Sequence, residues 1–257
     1  MIFLIKIGDY VTRNSYKNDM IFKVINIDSN TIYLKGVDYR LYANANINDL
    51  VLVDKKKYKD EFNPSLLVDE ERSEYFYLPG KILHIDSDRE YLKRCMNYYK
   101  KNKLYAIGKC MDEEDIVNNI YDLLDEYKVD ILVITGHDYL KKNTNKNDID
   151  NYQNSKNFYN AIKEARRYEK SHDKLIIIAG ACQSDYEDLI RAGANFASSP
   201  KRINIHALDP AIIASNLSLT KKNKEIDLKE LLSKTKNGSD GIGGLMCSGM
   251  MYVGYPR

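Results

Sequence analysis

Two stretches, VDILVITGHD (Val129 to Asp138) and KLIIIAGACQS (Lys174 to Ser184), constrain the fold of this chain more than any other. Each is an unbroken run of β-branched and aliphatic residues, the pattern of a strand buried on both faces. Strands of that kind belong to a parallel sheet with helices on either side. Each run ends in a turn of small residues carrying one reactive side chain, His137 in the first and Cys182 in the second. If the two strands are parallel neighbours, their carboxyl ends lie together, at the edge where open α/β sheets gather ligands and chemistry.

The surrounding text alternates in the same way. KILHIDSD (Lys81 to Asp88) reads as a strand entering a helix capped by Asp88, and LYAIGKC (Leu104 to Cys110) as a second strand. A helix over Asp112–Tyr127 precedes the His strand, and one from about Tyr152 to Tyr168 precedes the Cys strand. A short helix near Asp185–Ala192 stops at Gly193, and ANFASSP begins a fifth strand. Repeated βα units predict a doubly wound parallel sheet, flavodoxin- or caspase-like, in the order 2-1-3-4-5. INIHALDPAIIASNL then reads as a strand and a helix, DLKELLSKT as a helix, and the Gly-rich tail from Asn237 as a hairpin or flap.

Upstream, IKIGDYVTR, MIFKVINID, TIYLKGVD and DLVLVD are short apolar runs separated by turn residues, which predicts a small SH3-like β-barrel over residues 1–53. Residues 54–79 are charge-rich, carry two prolines and read as a linker; residues 80–257 then form the α/β domain.

Composition narrows the function classes. A net charge of +2 with interleaved signs gives no footprint for nucleic acid. No apolar run reaches the roughly 20 residues of a membrane span, and MIFLIKIGDY is too short and lacks the basic leader of an export signal. Cys95, Cys110, Cys182 and Cys247 show no C-x-x-C spacing, and His84, His137, His172 and His206 form no helical pair. No metal, organic cofactor or disulfide framework is therefore expected, and a reducing, cytoplasmic setting is.

A nucleophilic cysteine needs access, a stabilised thiolate and a base within reach. Cys182 follows a buried strand and precedes a helix whose amides can stabilise the thiolate, while Gly180 and Ala181 keep the turn narrow. His137 is the matching base one strand over, and His206, near the same edge, is a second candidate. The amides of Cys182 and of the Gly136–Asp138 turn can face a developing oxyanion. That combination implies acyl transfer, most simply amide hydrolysis.

HIDSDREYL, VDILVITGHD, NYQNSKNFYNAIKEAR, IIIAGACQSDYEDLIRAGANFASSPKRINIHALDP and the opening IKIGDYVTR resemble the YabG family of sporulation-specific proteases of endospore-forming bacteria, over essentially the whole chain. The resemblance implies a cysteine endopeptidase of the sporulating cell, in the cytoplasm and in association with the spore. Its protein substrates would be spore coat proteins and precursors of germination and cortex proteins, cut after basic residues, chiefly Arg. It also implies that His137 and Cys182 are the catalytic dyad. The strand-His, strand-Cys layout is similar to that of the caspase and gingipain clan, although here Gly136 precedes the His and Asp138 follows it. Arg preference calls for a pocket carboxylate; Asp138, Asp185 and Asp209 are the candidates, alongside His206 at the same edge.

Two other readings share the architecture. In a response-regulator receiver, Asp86, Asp88 and Lys201 would be the acidic pair and the lysine, but the third strand ends in Thr135-Gly136-His137 and Asp138 is out of place as phosphoacceptor. In an amidotransferase-like hydrolase the Cys sits in an elbow with glycines on both sides, whereas Gln183 and Ser184 follow Cys182.

Overall fold

The computed structural model describes residues 5–54 and 75–255, and the chain divides into two compact units, Met1–Asn63 and Pro64–Arg257. In the first, β1 (Tyr10–Arg13), β2 (Phe22–Asp28), β3 (Thr31–Gly36), β4 (Tyr42–Asn46) and β5 (Leu50–Val53) form one antiparallel sheet in the order β4-β3-β2-β1-β5. Its core is Val11, Phe22, Val24, Ile32 and Leu34. The strand β4, with the sequence YANAN, is not predicted by its residues. Asn and Ala favour strands weakly, and it is the ladder with β3, from Thr31↔Asn46 to Lys35↔Tyr42, that holds this exposed edge in place.

The second unit runs β6 (Phe76–Leu78), β7 (Ile82–Asp86), α1 (Arg89–Lys101), β8 (Ala106–Cys110), α2 (Glu113–Tyr127), β9 (Ile131–Thr135), α3 (Ser155–Tyr168), β10 (Ile176–Ala179), α4 (Tyr186–Ala192), β11 (Phe196–Ser198), α5 (Asp209–Leu219), α6 (Leu228–Ser233), β12 (Ile242–Gly244) and β13 (Tyr252–Gly254). Six strands form a mixed, mostly parallel sheet in the order β12-β11-β10-β9-β7-β8, with only β12 antiparallel. The continuous apolar runs are explained by burial on both sides. Ile131, Val133, Ile176 and Ile178 face the layer of α1, α5 and α6; Leu132, Ile134, Ile177 and Ala179 face α2, α3 and α4. Each such buried aliphatic side chain contributes roughly 1.5–3 kcal/mol.

Three expectations are corrected in this unit. Within the stretch read as a linker, residues 55–74 lie outside the described residues, but Phe76–Leu78 is a strand paired antiparallel with Tyr252–Gly254. The Gly-rich tail is neither a hairpin nor a flap, since it supplies β12 to the main sheet and β13 to that pair. A Cβ on Gly244 would overlap the Phe196 ring, and one on Gly243 would sit 2.7 Å from the Tyr186 hydroxyl, so glycine lets this edge strand close on its neighbours. Ile203–His206, read as a strand, adds none to the sheet but crosses the turn that holds Cys182. Among the described residues, no helix is long and apolar enough to cross a membrane.

Candidate active site

β9 and β10 are parallel neighbours, in register from Ile131↔Ile176 to Ile134↔Ala179, so the turns that follow them leave the sheet at the same rim. On the other side of β9 lies β7, where Asp86 pairs with Thr135. The His137 turn is therefore central, flanked by the end of β7 and the turn after β10.

Glu113, in the first turn of α2, shapes the His turn. Its Oε1 accepts the backbone N–H of His137 at 2.7 Å and the hydroxyl of Ser87 at 2.6 Å. A Cβ on Gly136 would overlap that oxygen and lie 2.7 Å from Ser87 Oγ, so glycine is required by close approach. The imidazole is mostly buried: Nδ1 is 3.4 Å from Ser87 Oγ and 4.0 Å from Glu113 Oε1, Nε2 is 3.7 Å from Asp88 Oδ2, and the Tyr91 ring lies alongside. Asn154 Nδ2 donates to the His137 carbonyl at 2.9 Å.

After β10 the chain turns through Gly180 at φ +102°, and Ala181 N donates to Ser184 Oγ at 2.9 Å. Gln183 is left-handed at φ +59°, a strained setting for a residue with a side chain. Its amide is held by Ser199 Oγ at 3.1 Å and Ile203 O at 3.3 Å, and Ser199 and Arg202 are themselves left-handed. The Cys182 sulfur receives the Ile205 N–H at 3.3 Å, and its thiol points to Ile205 O at 3.8 Å. Here the expectation of helix amides at the sulfur is corrected: α4 begins at Tyr186 behind its cap, Asp185, and the amide on the sulfur comes from the Ile203–Ala207 crossing. The same segment buries Cys182 completely, then accepts the Cys95 thiol of α1 at the Ala207 carbonyl.

Asp138 joins the two turns. It is buried, and its carboxylate accepts from Ser184 Oγ at 2.9 Å, Ser155 Oγ at 2.5 Å, Asn154 N at 2.8 Å and Tyr139 N at 2.9 Å. Burial pushes its pKa above the ordinary carboxylate value, against the pull of those hydrogen bonds. With its acceptor positions directed inward, Asp138 fastens the turn after His137 to the turn after Cys182. Asp209 is likewise turned inward, accepting His206 N and Lys236 N at 2.9 Å each. Asp185 differs: it caps α4 and lies 3.2 Å from the Arg202 guanidinium, which also pairs with Glu187 and bonds the Tyr152 hydroxyl. His206 is buried two residues before Leu208, whose amide it accepts at Nδ1, 3.2 Å away.

A family model described as YabG peptidase U57 matches residues 6–65 and 63–256. This chain belongs to the YabG peptidase family. It is 41% identical to the sporulation-specific protease YabG of Bacillus subtilis (strain 168) over 284 aligned positions, which cover 98% of each chain. Both turns of the candidate site fall in the second matched segment, and membership makes the chain a protease.

In this YabG-family chain a buried polar chain runs beneath the His turn, and the sequence analysis did not find it. Tyr99 OH bonds His84 Nδ1 at 2.9 Å, His84 Nε2 meets Thr135 Oγ1 at 2.9 Å, and Thr135 donates to Asp86 Oδ2 at 2.9 Å. Asp86 Oδ1 in turn accepts Asp88 N at 2.9 Å. All four side chains, from Tyr99 to Asp86, are fully buried. Asp86 is thereby committed to the core, which leaves no acidic pair open for receiver-type phosphotransfer. The available signal was the run of polar residues at 84, 86 and 135 inside apolar strands. Glu113 and Ser87 were also missed, and Gly136 was their only trace. Cys110 is exposed, because β8 is the sheet edge.

Proposed function

We propose that this member of the YabG family is a cysteine endopeptidase with Cys182 as nucleophile and His137 as base. The observation that carries the reading is that the two turns share one rim and are joined through the Asp138–Ser184 hydrogen bond. His137 takes the thiol proton, the sulfur attacks the scissile carbonyl carbon, and the imidazolium returns the proton to the leaving amine. Water, deprotonated by the same imidazole, then cleaves the thioester and frees the acid and the thiol. The turn amides of Cys182 and Asp138 are the proposed oxyanion donors, because the His137 amide is already engaged by Glu113. Since Cys182 is fully buried under Ile205, substrate entry requires the 203–207 crossing to move off the sulfur.

The substrates proposed are spore coat proteins and germination-protein precursors, cut after Arg. Of the three candidate carboxylates, Asp185 is proposed for the pocket, with a substrate guanidinium displacing Arg202, which keeps its second partner Glu187. The sheet is proposed to be caspase-like, with residues 80–257 as the peptidase module. The five-stranded N-terminal unit, whose β5 pairs with β1 after a 3-10 turn at Ile47–Asp49, is proposed to be an SH3-like barrel serving in docking.

The test is hydrolysis of peptides carrying Arg, Lys or a neutral residue before the scissile bond, by wild type, Cys182→Ala and His137→Ala. Cleavage after Arg that disappears in both variants, with circular dichroism unchanged, is the expected result. Full activity in either variant refutes the dyad, and equal rates on neutral peptides refute the pocket.

A further inference from the structure

The imidazole of His137 lies between carboxylates that come from different helices, and each faces a different ring nitrogen. Asp88 caps α1: its Oδ1 accepts the amides of Glu90 at 2.8 Å and Tyr91 at 3.2 Å, while Oδ2 stands 3.7 Å from His137 Nε2. Glu113 approaches the other side, 4.0 Å from Nδ1, with Ser87 Oγ between at 3.4 Å from that nitrogen. Ser87 has one hydroxyl hydrogen, and Glu113 Oε1 takes it at 2.6 Å. Toward Nδ1 its oxygen can therefore only accept, which fixes the neutral ring with its proton on Nδ1 and its lone pair on Nε2.

We infer that Glu113 and Asp88 are positioning residues for His137, with separate tasks. Glu113 acts through Ser87 to set the tautomer that leaves Nε2 as the base. Asp88 stabilises the ring once Nε2 has taken the proton from the Cys182 thiol, leaving a thiolate and an imidazolium with N–H on both nitrogens. The inference rests on the reading of His137 as the base. Both carboxylates are held independently of the ring, Asp88 by its own amide on Asp86 Oδ1 and by its cap, Glu113 by the His137 amide. At 6% and 13% side-chain exposure they are poorly screened by solvent. Other titratable groups nearby include Tyr91, whose ring lies beside the imidazole, and Asp138, whose carboxylate is turned away to Ser155 and Ser184.

The test uses isosteres that keep each hydrogen-bond acceptor and remove the charge, Asp88→Asn and Glu113→Gln; Asn caps a helix as well as Asp does. In full-length protein carrying Cys182→Ala and 13C-labelled histidine, the chain's four ring signals are titrated by NMR, with His137→Gln giving the assignment. Removing a negative neighbour disfavours the imidazolium, so each isostere is expected to lower the His137 midpoint by about one pH unit, tenfold in proton affinity. In the Cys182 enzyme the acid limb of kcat/KM, set by loss of the proton from the resting imidazolium, moves down with it, and kcat at neutral pH falls about tenfold with the weaker base while KM holds. Midpoints unmoved in both isosteres overturn the inference. Full cleavage by His137→Ala instead removes the base assignment, a failure the NMR midpoints do not share.

Discussion

Replacing Asp138 by Ala removes a side chain that fastens the two turns of the site together, and its cost can be worked from the contacts. The buried hydroxyls of Ser155 and Ser184 lose their acceptor. Each hydroxyl oxygen also receives an amide, Asp185 N at Ser155 and Ala181 N at Ser184, and these bonds hold the hydroxyls in place without supplying an acceptor for their hydrogens. Each buried unsatisfied donor costs about 1–3 kcal/mol. The amides of Tyr139 and Asn154 are partly buried and recover part of their bonding from water. Set against this is relief from burying the carboxylate, the cause that raises its pKa. The net expectation is a loss of about 3 kcal/mol, or roughly 6–12 °C in Tm for a unit of this size. Asp138→Asn keeps an oxygen for the two amides and loses the hydroxyl acceptor, so it should cost less, about 1–2 kcal/mol. Urea unfolding of the three proteins, followed by circular dichroism, measures both values. The sign with pH is also fixed. A folded pKa raised above 3.8 means that stability held at low pH is lost as pH rises through the folded pKa, so the advantage of wild type over Asp138→Asn narrows over that range. A loss below about 1 kcal/mol for the Ala variant would refute the idea that Asp138 is the fastening between the turns.

Two further outcomes follow from the same geometry. Gly136→Ala places a Cβ against Glu113 Oε1 and Ser87 Oγ, so activity should fall at least about tenfold and the urea midpoint should drop as well; an unchanged kcat with an unchanged midpoint would contradict it. Arg166 donates to the carbonyls of Gly193, Glu169, Ser171 and Leu175 and to Asn195 Oδ1, and burial lowers its pKa to about 10. Arg166→Ala, which orphans these acceptors far from the site, is expected to cost about 3 kcal/mol in urea without altering substrate preference.

What the residues revealed in advance was whatever depended on burial. Ile131–Thr135 and Ile176–Ala179 announce double-sided burial through unbroken aliphatic runs, and the turns after them follow from glycine and small residues. Features settled by tertiary partners were illegible. The strand Tyr42–Asn46 exists because β3 offers it a ladder, and Ile203–His206 fails to pair because it is drawn across the Cys182 sulfur. The site shows the same division. His137 and Cys182 stand out because each is the lone reactive group in its turn. Glu113 does not, because an acid in the first turn of a helix already has sufficient reason in the helix dipole. Its second task appears only when the fold brings it to a turn 24 positions away.

The pairing of Phe76–Leu78 with Tyr252–Gly254 ties together two strands that stand far apart in the chain. The first and last strands described in the second unit are therefore neighbours, with its other described elements between them in the chain. A short bridge from the end of β13 to the start of β6 would close the elements between them into a ring that can be reopened at a surface loop without redrawing its sheet.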